Sequence, residues 1–509
     1  MRTHLVRLVA VLLVAGVPVG CASDDDASGD VAGRVTSGNA SDATPQPVHP
    51  DGPAAVFEGP LEGGGGTALV AAGAGPALAG RYVEAEFSAA GTATSYASAG
   101  ELPVDGTFAL EPAEEAAFAT RVLVRRPEEP AAFNGTVVVE WLNVSGGADT
   151  AAEYTYLAEE LLRGGYAWVG VSAQRIGIEG GPVAVQVPGA EAAGLGRGLR
   201  AQDPDRYGRL HHPGDAFSYD IYTQVARALR EPAGVDVLGG LGAKRLLAVG
   251  ESQSAFALTT YVNGVQPLTG TYDGFLIHSR GGAAAPLGAA GTGIDIAGTL
   301  GGAPTQIRTD GEAPVIIVQT ETDVLGLLGY LPARQPDDDR LRLWEVAGTA
   351  HADAFQLGAA EAALGCPKPV NRGQQVFVLR AALRHLDTWV SIGTPAPGAP
   401  RLAVDESGAS PSFVLDEVGN VEGGIRTPVV EAPVDVLSGM PAEGSSVICL
   451  LMGSTTPLDA DQLGDRHASR AAYLEAYERA TDEVIDARFA LADDREELLA
   501  GADPSRLPD

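Results

Sequence analysis

The segment that most constrains the fold runs from residue 244 to residue 262. Residues 244 to 249 have the character of a buried strand, and residues 255 to 262 have that of a helix. Between them lies the sequence Gly250-Glu251-Ser252-Gln253-Ser254. A chain that turns so sharply from strand to helix holds the intervening side chain, here Ser252, clear of the sheet edge. The segment therefore predicts an α/β sheet with an exposed serine at the end of one strand.

The turn around Ser252 is expected to be a nucleophile elbow. Its strained backbone brings the residues two positions before and after the serine together, so both must be small. Gly250 and Ser254 are small, although the usual pattern has a second glycine where this chain has Ser254. The N–H of Gln253, at the start of the helix, would face a developing oxyanion. Ser252 is the predicted nucleophile and Gln253 a predicted oxyanion donor; alternatively, Ser252 only caps the helix.

Strand and helix patterns alternate through the middle of the chain, which predicts a mostly parallel, doubly wound sheet with helices on both faces. The predicted strands are residues 136–142, 166–172, 244–249, 274–277, 314–319 and 341–346. The predicted helices begin near Asp149 or Thr150, either of which is a candidate cap, and at residues 217, 255 and 376. Short antiparallel strands at 81–87, 107–110 and 119–125, and again between 396 and 460, add β-rich regions to each end.

A serine nucleophile needs a base, and in proteins with such an elbow the order along the chain is serine, acid, histidine. Four histidines follow Ser252: His278, His351, His385 and His467. His278 comes too early for an acid to precede it, while His385 and His467 fall in predicted helices. His351 follows the last core strand, at the sheet edge where such folds bind ligands. His351 is the predicted base; alternatively, it is a loop histidine with no catalytic role.

The acid is expected just after the strand at 314–319, where the chain reads Thr320-Glu321-Thr322-Asp323. The usual spacing from strand end to acid favours Asp323, and Glu321 is the alternative. Such an acid would fix the imidazole tautomer and stabilise the imidazolium. A second oxyanion donor is expected in the loop after strand 136–142, where the backbone of Val144 is the candidate and Asn143 the alternative.

No cofactor is predicted, and no metal site, because the chain has no Cys-x-x-Cys pattern. Two long loops, 174–214 and 281–312, are expected to cover the substrate pocket. The net charge of −32 argues against binding to nucleic acid or anionic lipid. The expected partner is therefore a small-molecule or lipid-like ester, with membrane contact only through an N-terminal anchor.

The N-terminus has the features of an export signal, with two early arginines and a short apolar run at residues 8–19. The sequence Val19-Gly20-Cys21 resembles a bacterial lipoprotein box, although Pro18 replaces the usual leucine. Residues 1–20 are thus a predicted signal peptide, Cys21 a lipidation candidate and 21–53 a disordered tether. The hydrolase-like domain is predicted at 54–465 and a helical tail at 466–509. In an exported protein Cys366 and Cys449 either form a disulfide or remain buried thiols.

These features resemble a known family. The elbow, the Thr-Glu-Thr-Asp segment and Gly348-Thr349-Ala350-His351 resemble the α/β-hydrolase superfamily. More narrowly, residues 140–145, 206–208 and 212–215 are similar to a bacterial family described as "alpha/beta hydrolase domain-containing protein". The resemblance covers about residues 55–460 and implies the α/β-hydrolase fold and acyl-transfer chemistry, but no substrate.

The expected function is that of an exported bacterial serine hydrolase that cleaves carboxylic esters or a related acyl bond through Ser252, His351 and an acid. Two alternatives stand beside it. One is a catalytically inactive hydrolase fold that serves as a surface binding protein. The other is a peptidase or acyltransferase with the same triad, because the triad alone does not choose the leaving group or the acceptor.

Overall fold

Runs of β-branched and other apolar residues form the strands of one ten-stranded sheet in this computed structural model, which describes residues 51–70, 81–186 and 194–507. The strands are β1 (Val56–Glu58), β2 (Tyr82–Ser98), β3 (Leu110–Pro127), β4 (Thr136–Trp141), β5 (Ala167–Val171), β6 (Ala233–Gly234), β7 (Arg245–Glu251), β8 (Gly274–His278), β9 (Val315–Thr320) and β10 (Leu341–Val346). Their order is β10-β9-β8-β7-β4-β5-β3-β2-β1-β6. The six strands from β10 to β5 are mutually parallel. The predicted mostly parallel α/β sheet is confirmed.

Helices cover both faces of this sheet. The α-helices are α1 (Ala152–Arg163), α2 (Arg175–Glu179), α3 (Gly198–Gln202), α4 (Pro204–Tyr207), α5 (Ser218–Arg230), α6 (Gln253–Thr260), α7 (Gln266–Thr269), α8 (Ile296–Thr299), α9 (Glu321–Leu325), α10 (Ala354–Leu357), α11 (Glu361–Leu364), α12 (Gln375–Ile392), α13 (Pro428–Glu431), α14 (Ala460–Arg466), α15 (Arg470–Asp486) and α16 (Arg495–Ala500). Helices α1 and α12 pack on one face, and α5 and α6 on the other. Alternate strand residues enter opposite cores, as Val137 and Val138 of β4 do.

The start of α1 differs from the expectation, because neither Asp149 nor Thr150 caps it. The capping position is Ala151, whose side chain has no acceptor. The buried carboxyl group of Glu140, at the end of β4, instead accepts hydrogen bonds from the N–H groups of Glu153 and Tyr154 at 3.0 and 2.9 Å. A distant strand residue thus satisfies the free N–H groups of the first helical turn.

The N-terminal β-rich region is a single long hairpin rather than three short strands. Strands β2 and β3 pair antiparallel over almost their whole length, with an irregularity between Thr94 and Tyr96. Residues 88–98 are mostly alanine, serine, glycine and threonine, so they lack the large apolar residues that mark a strand in sequence. The hairpin extends the parallel sheet through the antiparallel pairing of β3 with β5.

The C-terminal region adds two small antiparallel pairs, β11 (Val404–Asp405) with β12 (Ser412–Phe413) and β13 (Asp435–Ser438) with β14 (Ser454–Pro457). Helices α15 and α16 form where a helical tail was predicted. Leu498 of α16 is buried in the core beneath α1 and α12, and Arg163 of α1 forms an ion pair with Asp494 at 2.6 Å. The described residues belong to one compact unit.

The predicted signal peptide at 1–20, the lipidation candidate Cys21 and the tether up to residue 50 lie outside the described residues and remain predictions. Within the described part of the chain, no helix combines the length and the apolar character that crossing a membrane requires.

Candidate active site

Ser252 lies at the turn from β7 into α6, with backbone angles φ 61° and ψ −119°. A positive φ is uncommon for a residue other than glycine and marks the strained turn that the sequence predicted. A Cβ atom placed on Gly250 would lie only 2.9 Å from the Cβ of Ser254, so position 250 requires glycine. The turn is held by the N–H of Ser252, which donates to the carbonyl of His278 on the neighbouring strand β8 at 3.0 Å.

The structure brings Ser252, His351 and Asp323 together in one hydrogen-bonded series. Nε2 of His351 lies 2.8 Å from Oγ of Ser252, and Nδ1 lies 2.7 Å from Oδ1 of Asp323. The imidazole is 4 % exposed and the carboxylate is fully buried. This is the arrangement in which an acid orients a histidine that removes a proton from serine.

The environment of Asp323 keeps it ionised. Burial alone would raise its pKa, but the charge of His351 and hydrogen bonds from His351 and Thr320 outweigh burial and lower the pKa. The second carboxylate oxygen, Oδ2, accepts hydrogen bonds from the hydroxyl of Ser279 at 2.8 Å and from the N–H and hydroxyl of Thr320, each at 2.7 Å.

Sequence reasoning missed both of these supporting residues. Thr320 and Asp323 form a capping box at the start of α9, and the spacing Thr-x-x-Asp is its sequence signal. Ser279 has a φ of 51°, another strained position, for which the sequence gives no signal.

Glu321, the alternative acid, has a different set of partners. Its oxygens accept hydrogen bonds from the N–H groups of Gly348 at 2.6 Å and Gly439 at 2.7 Å. Burial raises its pKa to about 7, against the lowering effect of these two hydrogen bonds. Glu321 thus connects the loop that precedes His351 to the C-terminal region, and Asp323 is the carboxylate that contacts the imidazole.

The two predicted oxyanion donors lie on adjacent elements. Gln253 is the first residue of α6, where N–H groups have no partner within the helix. The N–H of Val144 donates a long hydrogen bond, 3.4 Å, to the side-chain oxygen of Gln253. This N–H therefore already faces an amide oxygen. The amide of Asn143, the alternative donor, instead donates to the backbone oxygen of Glu251 at 3.0 Å and fastens this loop to the elbow.

A cavity of about 200 Å³ opens beside the nucleophile. Most of its wall is apolar, and several parts of the chain supply it. Val185 and Leu195 come from the 174–214 loop, as predicted, while Ile448, Leu451 and Met452 come from a C-terminal segment that the sequence analysis did not associate with the site. No described residue of the loop at 281–312 lines the cavity. Residues 288–294 of this loop pack against the segment around Gly214, and its two ends pack against other parts of the chain.

Cys366 and Cys449 form a disulfide with a Cα–Cα distance of 5.6 Å. The bond lies next to the C-terminal cavity wall, since Cys449 directly follows Ile448. The carbonyl of Leu451 accepts a hydrogen bond from the N–H of Ala352, the residue after His351, at 3.1 Å. The disulfide therefore restrains the same wall that contacts the histidine loop.

Further ionisable groups are buried behind the elbow. Nδ1 of His278 lies 3.1 Å from Oε1 of Glu153, and both side chains are fully buried. Burial alone would lower the pKa of His278, but the carboxylates of Glu153 and Glu251 raise it to about 9. Burial also raises the pKa of Glu251 to about 7 and that of Asp353 to about 6.

A parallel sheet with a strained serine between strand and helix, and a histidine and acid at the same edge, defines an α/β-hydrolase with the serine hydrolase fold. A family model described as "Alpha/beta hydrolase domain" matches residues 57–500, and the chain belongs to this family. The match extends past residue 460, where the sequence resemblance ended.

Solved structures with low sequence identity are also similar to the chain. An esterase from Rhizomucor miehei has 12 % identity and a TM-score of 0.31, covering 60 % of this chain and 85 % of that one. A serine hydrolase without a lid from Xanthomonas campestris has 13 % identity and a TM-score of 0.29, with 60 % and 97 % covered. Esterase 2 of Thermogutta terrifontis has 15 % identity and a TM-score of 0.29, with 55 % and 91 % covered. No curated protein matches the chain.

Proposed function

We propose that the chain is an exported serine hydrolase that cleaves carboxylic esters through an acyl-enzyme. The observation that carries this proposal is the hydrogen-bonded series from Asp323 through His351 to Ser252, with distances of 2.7 and 2.8 Å, on a strained elbow beside a cavity. Membership of the α/β-hydrolase family supports the reaction class. The small, mostly apolar cavity favours a short acyl or alcohol group over an extended peptide.

In the proposed reaction, Oγ of Ser252 attacks the ester carbonyl while Nε2 of His351 takes its proton. We expect the N–H groups of Gln253 and Val144 to hold the oxygen of the tetrahedral intermediate, once the side-chain oxygen of Gln253 has released the N–H of Val144. His351 then passes the proton to the leaving alkoxide. The alcohol departs, and the acyl group stays bonded to Oγ of Ser252. A water molecule, activated by the same histidine, completes the hydrolysis.

Labelling with a fluorophosphonate tests the nucleophile. We expect one covalent adduct on the folded protein, located at Ser252 by peptide mass spectrometry, and none on Ser252→Ala. The matched control is Ser391→Ala, because Ser391 is an exposed serine at the end of α12, far along the chain from the elbow. A folded wild-type protein that takes no label would contradict the enzyme proposal and favour the inactive binding protein.

The type of bond cleaved is tested with p-nitrophenyl esters of increasing acyl length, set against matched amide and thioester substrates. We expect the highest kcat/KM on short esters, because the cavity is small. Faster cleavage of the amide series would instead assign a peptidase-like activity. Export is tested separately: mass spectrometry of the mature chain should show loss of residues 1–20 and a lipid mass on Cys21, and Cys21→Ser should abolish that lipid.

A further inference from the structure

Glu251 stands out in the cavity because of its charge. It directly precedes Ser252 and is one of the residues that line the same cavity. The other described lining residues are neutral apart from the catalytic histidine, and none of them is a lysine or arginine. A carboxylate enclosed by apolar walls is unfavourable unless a hydrogen-bond donor or a cation compensates it.

The protein itself compensates Glu251 only in part. Both carboxylate oxygens accept hydrogen bonds from the side-chain amide of Gln356, at 2.9 and 2.7 Å. The ionisable groups that act on Glu251 include Glu153 and Tyr156 from α1, His278 from β8 and His351 from the catalytic loop. Asp353 joins them through the N–H of Gln356.

The cluster therefore contains more acids than bases. Its members are the carboxyl groups Glu153, Glu251, Asp323 and Asp353 and the imidazoles His278 and His351. No arginine or lysine forms an ion pair with these four carboxyl groups within the described residues. The local potential in the cavity is thus negative, and the net charge of −32 acts in the same sense on an approaching cation.

We propose that Glu251 is a specificity-determining residue that binds a primary ammonium group on the substrate, so that the preferred substrates are amino-substituted esters. The inference rests on the proposed ester hydrolysis. An ammonium is the ligand that fits, because its N–H groups donate as the Gln356 amide now does while its charge compensates the carboxylate. The group lies on the acyl or the alcohol side of the ester, and the experiment below distinguishes the two.

The test compares substrates of equal shape in which an ammonium replaces a methyl group. On the acyl side, the methyl esters of 3-aminopropanoate and 6-aminohexanoate are paired with methyl butanoate and methyl heptanoate. On the alcohol side, 5-aminopentyl acetate is paired with hexyl acetate. For at least one pair, we expect wild type to prefer the ammonium ester by about tenfold or more in kcat/KM. The attraction between an ammonium and a carboxylate in close contact near a protein surface is strong enough for such an effect. In Glu251→Gln this preference should be lost.

Two further measurements separate recognition from a structural role. Gln356→Leu removes the hydrogen bonds to Glu251 but keeps its carboxyl group. Because these bonds lower the pKa of Glu251, the preference for the ammonium ester should persist in this variant but develop at a higher pH than in wild type. Because the pKa of Glu251 is about 7, the ratio in wild type should rise from pH 6 to pH 8 and stay flat in Glu251→Gln. Any pH effect on the catalytic steps that both esters share cancels in this ratio, and an alkylammonium stays charged over this range.

The outcomes separate ammonium recognition by Glu251 from the ester hydrolysis on which it rests. If wild type hydrolyses neither member of any pair, the proposed ester hydrolysis fails. If it hydrolyses both members of every pair equally, the recognition by Glu251 is wrong while the hydrolase stands. An equal loss on both esters in Glu251→Gln, with no change in their ratio, would also overturn the inference and leave Glu251 as a support of the elbow.

Discussion

Two buried groups of charged residues in this molecule differ in how their charges are compensated. The hairpin cluster consists of Glu86, Arg121, Asp149 and Arg206, where the N-terminal hairpin meets the sheet. Arg121 contacts Glu86 at 2.8 Å and Asp149 at 2.6 Å, and Arg206 contacts Glu86 at 2.5 Å. The catalytic-edge cluster consists of Glu153, Glu251, His278, Asp323, His351 and Asp353, and there the only bases are two histidines.

The difference separates a structural role from a chemical one. In the hairpin cluster each carboxylate has a guanidinium partner that stays charged at any physiological pH, so the cluster has a single state. In the catalytic-edge cluster, burial raises the pKa of Glu251 to about 7 and that of Asp353 to about 6, both close to neutrality. Groups with such pKa values can exchange protons during a reaction, and they are common at functional sites.

The largest expected effect concerns the acid of the triad. Asp323→Asn should lower kcat by about 10⁴-fold, because an amide cannot hold the histidine in the tautomer that accepts the serine proton. Glu321→Gln should cost far less activity, since Glu321 contacts Gly348 and Gly439 rather than His351. Steady-state kinetics on a p-nitrophenyl ester measures both. A greater loss in Glu321→Gln would assign the acid to Glu321.

Removing a charge from the hairpin cluster should lower the stability of the protein rather than its catalytic activity. Arg121→Met leaves the buried Asp149 without a cation and Glu86 with Arg206 alone, and we expect the free energy of unfolding to fall by about 3–5 kcal/mol. Urea denaturation followed by fluorescence measures it. Arg495→Met, which removes an exposed ion pair with Asp482, is the control and should leave the midpoint almost unchanged. Equal effects of the two variants would show that burial is not what distinguishes the cluster.

The pH dependence of stability should come from acids on the catalytic side. The pKa of Glu321 is raised from 4.5 to about 7, so between these values the folded protein binds more protons there than the unfolded chain does. Stability therefore falls as pH rises through this window. From pH 5 to pH 8, wild type should lose about 2–3 kcal/mol more than Glu321→Gln in urea denaturation. Parallel pH profiles for the two proteins would contradict this.

The smallest expected effect concerns the disulfide. Replacing both Cys366 and Cys449 with alanine should loosen the cavity wall at Ile448 and Leu451 and raise KM by about threefold to tenfold, with a smaller change in kcat. Titration with a reductant, followed by kinetics, should reproduce this in wild type and leave the double variant unaffected. An unchanged KM in both experiments would show that the wall keeps its position without the bond.

The sequence predicted most of the parallel sheet, because its strands are short runs of large apolar residues such as those around Val138 and Ile316. It also pointed to Ser252, His351 and Asp323, since a strand–turn–helix serine of this kind is followed along the chain by an acid and then a histidine, each after a parallel strand. The long hairpin was missed because alanine-rich strands lack that apolar pattern. The capping of α1 by Glu140 and the cavity wall at Met452 were missed because both depend on contacts between distant segments, which no local pattern encodes.

The position of the C-terminal cavity wall has a consequence for how the site is assembled. The serine and its histidine are 99 residues apart, and Met452 follows that histidine by a further stretch of similar length. A nascent chain that ends before residue 452 has the whole triad in its sequence but only part of the cavity. Synthesis from the N-terminus therefore completes the substrate-binding surface only after all three catalytic residues have been made, which makes the segment from Ile448 to Met452 a part of that surface rather than an appendage.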